Sequence, residues 1–225
     1  SNYPGADTIG PLEVTAANST DTARFTGSQP ADVTYNGTEQ KQDVTVADSK
    51  TGEDLVEGAD YTLAYSDDAT NVGTVTVTVT GTGNYAGEVV RTYQITPATL
   101  TVTTPSASKV YDGTALTADG TISGLVNGET ATFATTGTQT AKGSSDNTYS
   151  LTWDGTAKAS NYTVADTIGT LEVTAANITD TARFTVSQPA DVVYNGLEQR
   201  QDVTVADSKT GEDLAEGADY TLAYS

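Results

Sequence analysis

Apolar and polar residues alternate along most of this chain. At 74–80 it reads TVTVTVT, with Val75, Val77 and Val79 on one face and threonines on the other, the period-two pattern of a half-buried strand. Tyr61, Leu63 and Tyr65 repeat that pattern, as do Tyr149, Leu151 and Trp153. Between such runs stand Asn36-Gly37, Asp112-Gly113 and Asn195-Gly196, dipeptides that accept the positive φ of tight turns. Helical periodicity is missing, and only GEDLVEGAD at 52–60 offers a short helix. The pattern predicts an all-β chain of small antiparallel β-sandwich modules arranged end to end. If 52–60 is helical and crosses a four-stranded sheet, the modules are β-grasp folds instead.

Residues 1–66 return as residues 160–225, shifted by 159 positions. Nine of the 66 positions differ, among them Pro4/Thr163, Gly27/Val186, Thr34/Val193, Lys41/Arg200 and Val56/Ala215. About one and a half repeats are therefore present, and the chain is expected to be a segment of something longer. A smaller repeat lies inside the large one: DVTYNGTEQ around Tyr35, SKVYDGTAL around Tyr111 and DVVYNGLEQ around Tyr194. Later in each complete module Asn84-Tyr85 or Asn161-Tyr162 precedes a final alternating run, ending at Thr96 or Thr174. Residues 1–18 are read as the C-terminal strand of a truncated type B module, 19–97 as a type A module, 98–177 as a type B module and 178–225 as an incomplete type A module.

The last two runs of each complete module predict a terminal hairpin, which in type A pairs 73–80 with 87–95 across the loop at Asn84 and Tyr85. The string YQITPATLTV at 93–102 passes from one module to the next with Pro97 alone between the strands. So short a linker restricts bending, and modules chained in this way are expected to form a rod. The incomplete module lacks that hairpin; it is expected to be loosely ordered or to borrow strands from a neighbouring molecule.

The strings KVYDGTALTADGTISGLVNGET at 109–130, NYTVADTIGTLEV at 161–173 and the joint YQITPATLTV resemble the YDG and MBG repeats of large bacterial surface adhesins. Type A, with YNGTEQ, GADYTLAYS and VGTVTVTVTGTGNYAGEVV, is similar to Ig-like repeats of the same kind of protein. These motifs are turn and strand patterns, specific for architecture and weak for activity. The resemblance implies an extracellular protein displayed on a bacterial cell surface, in which many modules form a stalk that carries a binding domain elsewhere.

Ten Lys plus Arg stand against 30 Asp plus Glu, a formal charge of −20, which argues against nucleic acid or an anionic membrane surface as partner. No apolar run is long enough to insert into a membrane. Cys, His and Met are absent, which removes disulfides, thiolate and imidazole catalysis and the usual zinc or copper sites. Two acidic clusters of type A, one through Glu53, Asp54, Glu57 and Asp60 and one at Asp67, Asp68 and Asn71, offer oxygen ligands of the kind calcium takes, without an EF-hand pattern. A solvated acidic face is the ordinary reading, so no metal ligand, cofactor or catalytic residue is assigned.

Trp153 is in phase with Tyr149 and Leu151 and is read as core rather than as a sugar platform. Modules this small leave little surface for a lined pocket, and no enzyme activity is expected. Lys109 is a candidate donor, with Asn161 as partner, for an intramolecular amide crosslink. N-x-Ser/Thr sequons stand at Asn18, Asn36, Asn161 and Asn177. The function expected is that of a stalk spacer. The alternatives are modules that bind a host glycan or protein through the Asn84-Tyr85 or Asp67–Asn71 loops, or that self-associate through exposed edge strands.

Overall fold

The computed structural model describes residues 14–66 and 68–224. They form an all-β chain of short strands with one 3-10 turn at Ala159–Asn161 and, among the described residues, no α-helix. Residues 1–13, and so most of the predicted strand at 1–18, lie outside the described residues. The chain divides into two compact units. One takes in Ser1–Leu100, Gly124–Ala131 and Trp153–Val164; the other takes in Thr101–Ser123, Thr132–Thr152 and Ala165–Ser225.

In the first unit the strands are β1 (Ala17–Asn18), β2 (Phe25–Gly27), β3 (Val33–Thr34), β4 (Val46–Asp48), β5 (Glu53–Asp54), β6 (Tyr61–Tyr65), β7 (Gly73–Gly81), β8 (Tyr85–Ala86) and β9 (Glu88–Thr96). One sheet has the order β3-β9-β7-β6, a second β2-β4-β5, and β1 pairs with β8 in a third. The threonine and valine alternation of β7 does what its period requires: Val75, Val77 and Val79 are buried while the threonines between them are not. Phe25 and Val46 from the second sheet are buried too, as are Tyr61, Tyr93 and Ile95. Each such side chain contributes about 1.5–3 kcal/mol by leaving water. The type A hairpin forms as read, with β7 and β9 antiparallel from Gly73↔Ile95 to Thr80↔Glu88.

The helix at 52–60 does not form, and the β-grasp alternative falls with it. Gly52 and Gly58 take φ of 74° and 82°, which no right-handed helix accommodates. Between them β5 pairs with β4, and Glu57 bridges to Tyr61.

The remaining strands are β10 (Ala98–Thr103), β11 (Ala107–Val110), β12 (Thr121–Ser123), β13 (Thr132–Thr135), β14 (Gly143–Asp146), β15 (Tyr149–Thr152), β16 (Tyr162–Thr167), β17 (Thr170–Thr174), β18 (Phe184–Val186), β19 (Val205–Asp207) and β20 (Glu212–Asp213). They make sheets of order β12-β10-β16, β11-β17-β14, β13-β15 and β18-β19-β20. Pro97 alone separates β9 from β10, as the sequence indicated.

Type B does not end in a hairpin. Strands β16 and β17 belong to different sheets, because the chain turns a corner between them at Gly169. The Gly169 amide donates to Thr104 Oγ1 at 3.1 Å, its carbonyl accepts from the Asn147 amide at 2.8 Å, and a Cβ there would collide with the Pro105 carbonyl. In the incomplete type A copy, β18 and β19 repeat the register of β2 and β4, Phe184 facing Asp207 as Phe25 faces Asp48.

Candidate functional site

The Tyr35 amide donates to the Thr96 carbonyl at 2.8 Å, which holds the turn after β3 at the end of the long hairpin. Within that turn Asn36 Oδ1 accepts both the amide and the hydroxyl of Thr38, and Gly37 sits at φ 78°. Tyr35 is only 4 % exposed. What covers it are the segments Gly124–Ala131 and Trp153–Val164 of the same compact unit. Its ring meets Tyr162 edge to face at 5.7 Å, and Trp153 stacks on Tyr162 at 5.5 Å.

One carboxylate ties these rings together. The hydroxyl of Tyr35 donates to Glu129 Oε1 and that of Tyr162 to Glu129 Oε2, each at 2.5 Å. Glu129 is aimed by a tight turn in which Asn127 and Gly128 have φ of 51° and 70°, as an Asn-Gly pair adopts readily, and its amide donates to the Val126 carbonyl. Asn127 Nδ2 donates to the Gly37 carbonyl at 2.9 Å. A Cβ on Gly37 would lie 2.6 Å from the Asn127 Cβ, so the two turns meet where only glycine fits.

Beside the rings, the fully buried Asn161 donates to Asn71 Oδ1 at 2.9 Å and accepts from the Val72 amide at 3.0 Å. Burial, and after it the Glu129 hydrogen bond, raises the pKa of Tyr162 to about 12 and moves Tyr35 in the same direction. Both phenols are therefore protonated donors at neutral pH, and the charge-assisted bonds they make are of the stronger class.

Residues 100–172 match the family model of the MBG domain (YGX type). No curated protein matches the chain. The matched segment supplies Glu129, Trp153, Asn161 and Tyr162 to the site, and its own Tyr111-Asp112-Gly113 turn is built like the Tyr35 turn. Asp112 Oδ1 accepts the Thr114 amide and hydroxyl, and Gly113 has the same φ as Gly37. This turn also meets a neighbour, within the second unit. Arg183 Nη1 donates to the Tyr111 carbonyl at 2.5 Å, and a Cβ on Gly113 would sit 3.1 Å from Thr210 Cγ2. Arg183 is fixed for that contact by Asp207, whose two oxygens accept from its Nε and Nη2.

The residues singled out by the sequence are distributed differently. Trp153 is half-buried against Tyr162. Lys109 donates to Asp112 and to Thr114, while Asn161 is engaged with Asn71 and Val72, so each candidate for the amide crosslink has other partners. Asn161 is also buried, as a glycan acceptor is not, and Asn18, Asn36 and Asn177 each accept hydrogen bonds from the threonine two residues on.

Asp67 lies outside the described residues. Asp68 spends its oxygens on the Thr70 and Asn71 amides and the Asn71 side chain; these bonds, the Asn71 amide first, hold its pKa low. Glu53 and Asp54 are exposed on β5, and Asp60 accepts the Val56 amide. No three carboxylates converge on a metal position among the described residues. Tyr85 pairs in β8 with β1 and packs edge to face on Phe25, so it is not a free loop ring.

Glu129, Asn127 and Arg183 carry no expectation from the sequence, and Asn71, read there as a possible calcium ligand, is instead an acceptor for Asn161. The only sequence signal for them was the recurrence of the Tyr-Asn/Asp-Gly and Asn-Tyr dipeptides, read as module borders rather than as surfaces that meet.

Proposed function

We propose that the chain is a stretch of the stalk of a bacterial surface adhesin, displayed outside the cell, whose modules hold a distal binding domain away from it. The observation that carries this reading is the Tyr35 turn sunk into the Glu129, Trp153 and Tyr162 surface. A flexible tether has no use for a buried, fully hydrogen-bonded contact across a one-residue linker, whereas a spacer that must stay extended does. Near-identity of the two large copies agrees, since a spacer lengthens by duplication without altering any site. The match to an MBG domain is in keeping with a repeat of surface proteins.

Small-angle X-ray scattering tests the reading. Modules end to end over roughly 100 Å give a radius of gyration near 30 Å at about 3.3 Å per strand residue, whereas a compact globule of this length gives about 17 Å. The larger value is expected, unchanged by chelator, together with silence on arrays of host glycans and proteins. A value near 17 Å, or a retained ligand, overturns the spacer reading.

A further inference from the structure

We infer that the modules are built to bear tension along the chain, the type B module more strongly than type A. The inference deepens the stalk reading and rests on it for its biological sense, but the geometry behind it is separate. In both modules an early strand lies parallel to, and hydrogen-bonded with, the last one. In type A, β3 pairs with β9 through Val33↔Ile95 and Thr34↔Thr96. In type B, β11 pairs with β17 through Ala107↔Leu171, Ser108↔Glu172, Lys109↔Val173 and Val110↔Thr174.

Parallel pairing decides how force reaches those bonds. The chain enters the early strand at one end of the pair and leaves the last strand at the other. A pull on the two chain directions therefore slides the strands along each other, and every bond of the pair is loaded at once. Were the two strands antiparallel, both exits would lie at the same end and the bonds would break one after another. Lifetime under force is set by the unfolding barrier rather than by equilibrium stability, so loading bonds together lengthens it.

Further bonds reinforce each pair. In type B the Tyr111 amide donates to the Thr174 carbonyl at 2.8 Å and Thr174 Oγ1 to the Lys109 carbonyl at 3.3 Å. Behind β17 lies β14, antiparallel over Gly143↔Val173 to Asp146↔Thr170, and the core side chains Leu171 and Val173 are fully buried. In type A the shorter pair is extended by Tyr35 onto Thr96, by the Gln94 amide onto Asp32 and by Gln29 onto Thr92.

Single-molecule pulling on the full chain tests this, because the absence of cysteine allows handles at chosen sites. In a variant carrying Ser106→Cys and Ala175→Cys, the handles load β11 and β17 in sliding. In one carrying Ser106→Cys and Thr170→Cys, they stand at the same end of the pair and peel it. Ser106 is altered in both, so loss of its bond from the Thr170 amide is common to the two arms. A severalfold higher unfolding force in the sliding arm is expected. Equal forces overturn the inference, even if scattering finds an extended chain. A sliding arm that holds while scattering finds a compact chain overturns the stalk reading alone. Pulling the wild-type chain from its ends needs no substitutions: type A is expected to yield before type B, and one indistinguishable low force for both refutes the ranking.

Discussion

Replacing Glu129 by Gln is the sharpest perturbation of the Tyr35 site, since it keeps the shape and removes the charge that two phenols share. With the carboxylate, each hydroxyl donates a bond of the charge-assisted kind, worth about 1.5–3 kcal/mol. The amide oxygen accepts one phenol at neutral strength, about 0.5–1.5 kcal/mol, and the amide NH2 must turn to the other phenol, whose hydroxyl then loses its acceptor. Glu129 is half-buried, so water recovers part of the loss. The net destabilisation is about 1–2 kcal/mol, a factor of roughly 5–30 in the equilibrium.

Trp153, the only tryptophan, stacks on Tyr162 and reports the event directly. Its emission, followed through a urea titration, is expected to change at lower denaturant in Glu129→Gln than in wild type. Phenolate absorbance gives a second reading. Tyr162 holds its proton to about pH 12 in the intact site. A raised folded pKa means stability that is complete below the ordinary tyrosine value near 10 and lost as pH climbs through about 12. The variant loses it earlier. Tyr35→Phe removes one of the two bonds, so the double variant should cost less than the sum of the singles by about 1 kcal/mol. Additivity within about 0.5 kcal/mol, or an unmoved tryptophan transition in Glu129→Gln, would refute the claim that this carboxylate joins the two rings.

Gly37→Ala and Gly196→Ala form a matched pair: both glycines have φ near 79°, but only at Gly37 does a Cβ strike Asn127, so thermal melts should find Gly37→Ala the more damaging by about 1–3 kcal/mol. Tyr194, 89 % exposed, should be nitrated by tetranitromethane well before its counterpart Tyr35, as peptide mapping would read; equal rates would mean that the Tyr35 turn is not buried. Asp48 and Asp207 are held near pKa 2, chiefly by bonds from Arg24 and Arg183, so the stability they contribute is complete above about pH 4 and lost as pH falls toward 2. Acid titration by circular dichroism should place unfolding in that window, and Asp48→Asn or Asp207→Asn should flatten it. Chelator should leave the melting temperature unchanged, and a drop of several degrees would restore calcium to the acidic loops.

Legibility followed the range of the interactions. Alternation is local, so β7 and β9 could be drawn from residues 73–96 alone, and the Asn-Gly and Asp-Gly turns fell where the dipeptides stand. The corner at Gly169 was unreadable. A glycine between two strands looks the same whether the second strand folds back beside the first or crosses to the other sheet, and what decides it here is contact with Pro105, Thr104 and Asn147, far off in sequence. The segment 52–60 misled for the opposite reason, its leucine and valine suggesting a helix that Gly52 and Gly58 cancel. Glu129 stands alone in a Gly- and Asn-containing turn with no other acid within nine residues, and nothing in its neighbourhood tells that two tyrosines, one 94 residues away, will point their hydroxyls at it.

The nine differences between the large copies bear on whether the docking turn is kept as the protein lengthens. Two of them, Thr34/Val193 and Thr38/Leu197, flank the turn, and neither touches Tyr194, Asn195 or Gly196. Thr38 bonds to Asn36 through both its amide and its hydroxyl; Leu197 keeps the amide bond to Asn195 Oδ1 at 3.0 Å and gives up the other. Gly196 keeps φ 79°, so the turn survives on the Leu197 amide bond to the Asn195 side chain without the hydroxyl bond. Both substitutions exchange a hydroxyl for an apolar side chain close to the tyrosine in sequence, and Val193, Tyr194 and Leu197 are all exposed. On the first copy the same tyrosine is buried, with its hydroxyl on a carboxylate. Drift that makes the surroundings of that ring more apolar while sparing the three residues that shape the turn is what a contact surface tolerates and a solvent-facing loop has no reason to keep.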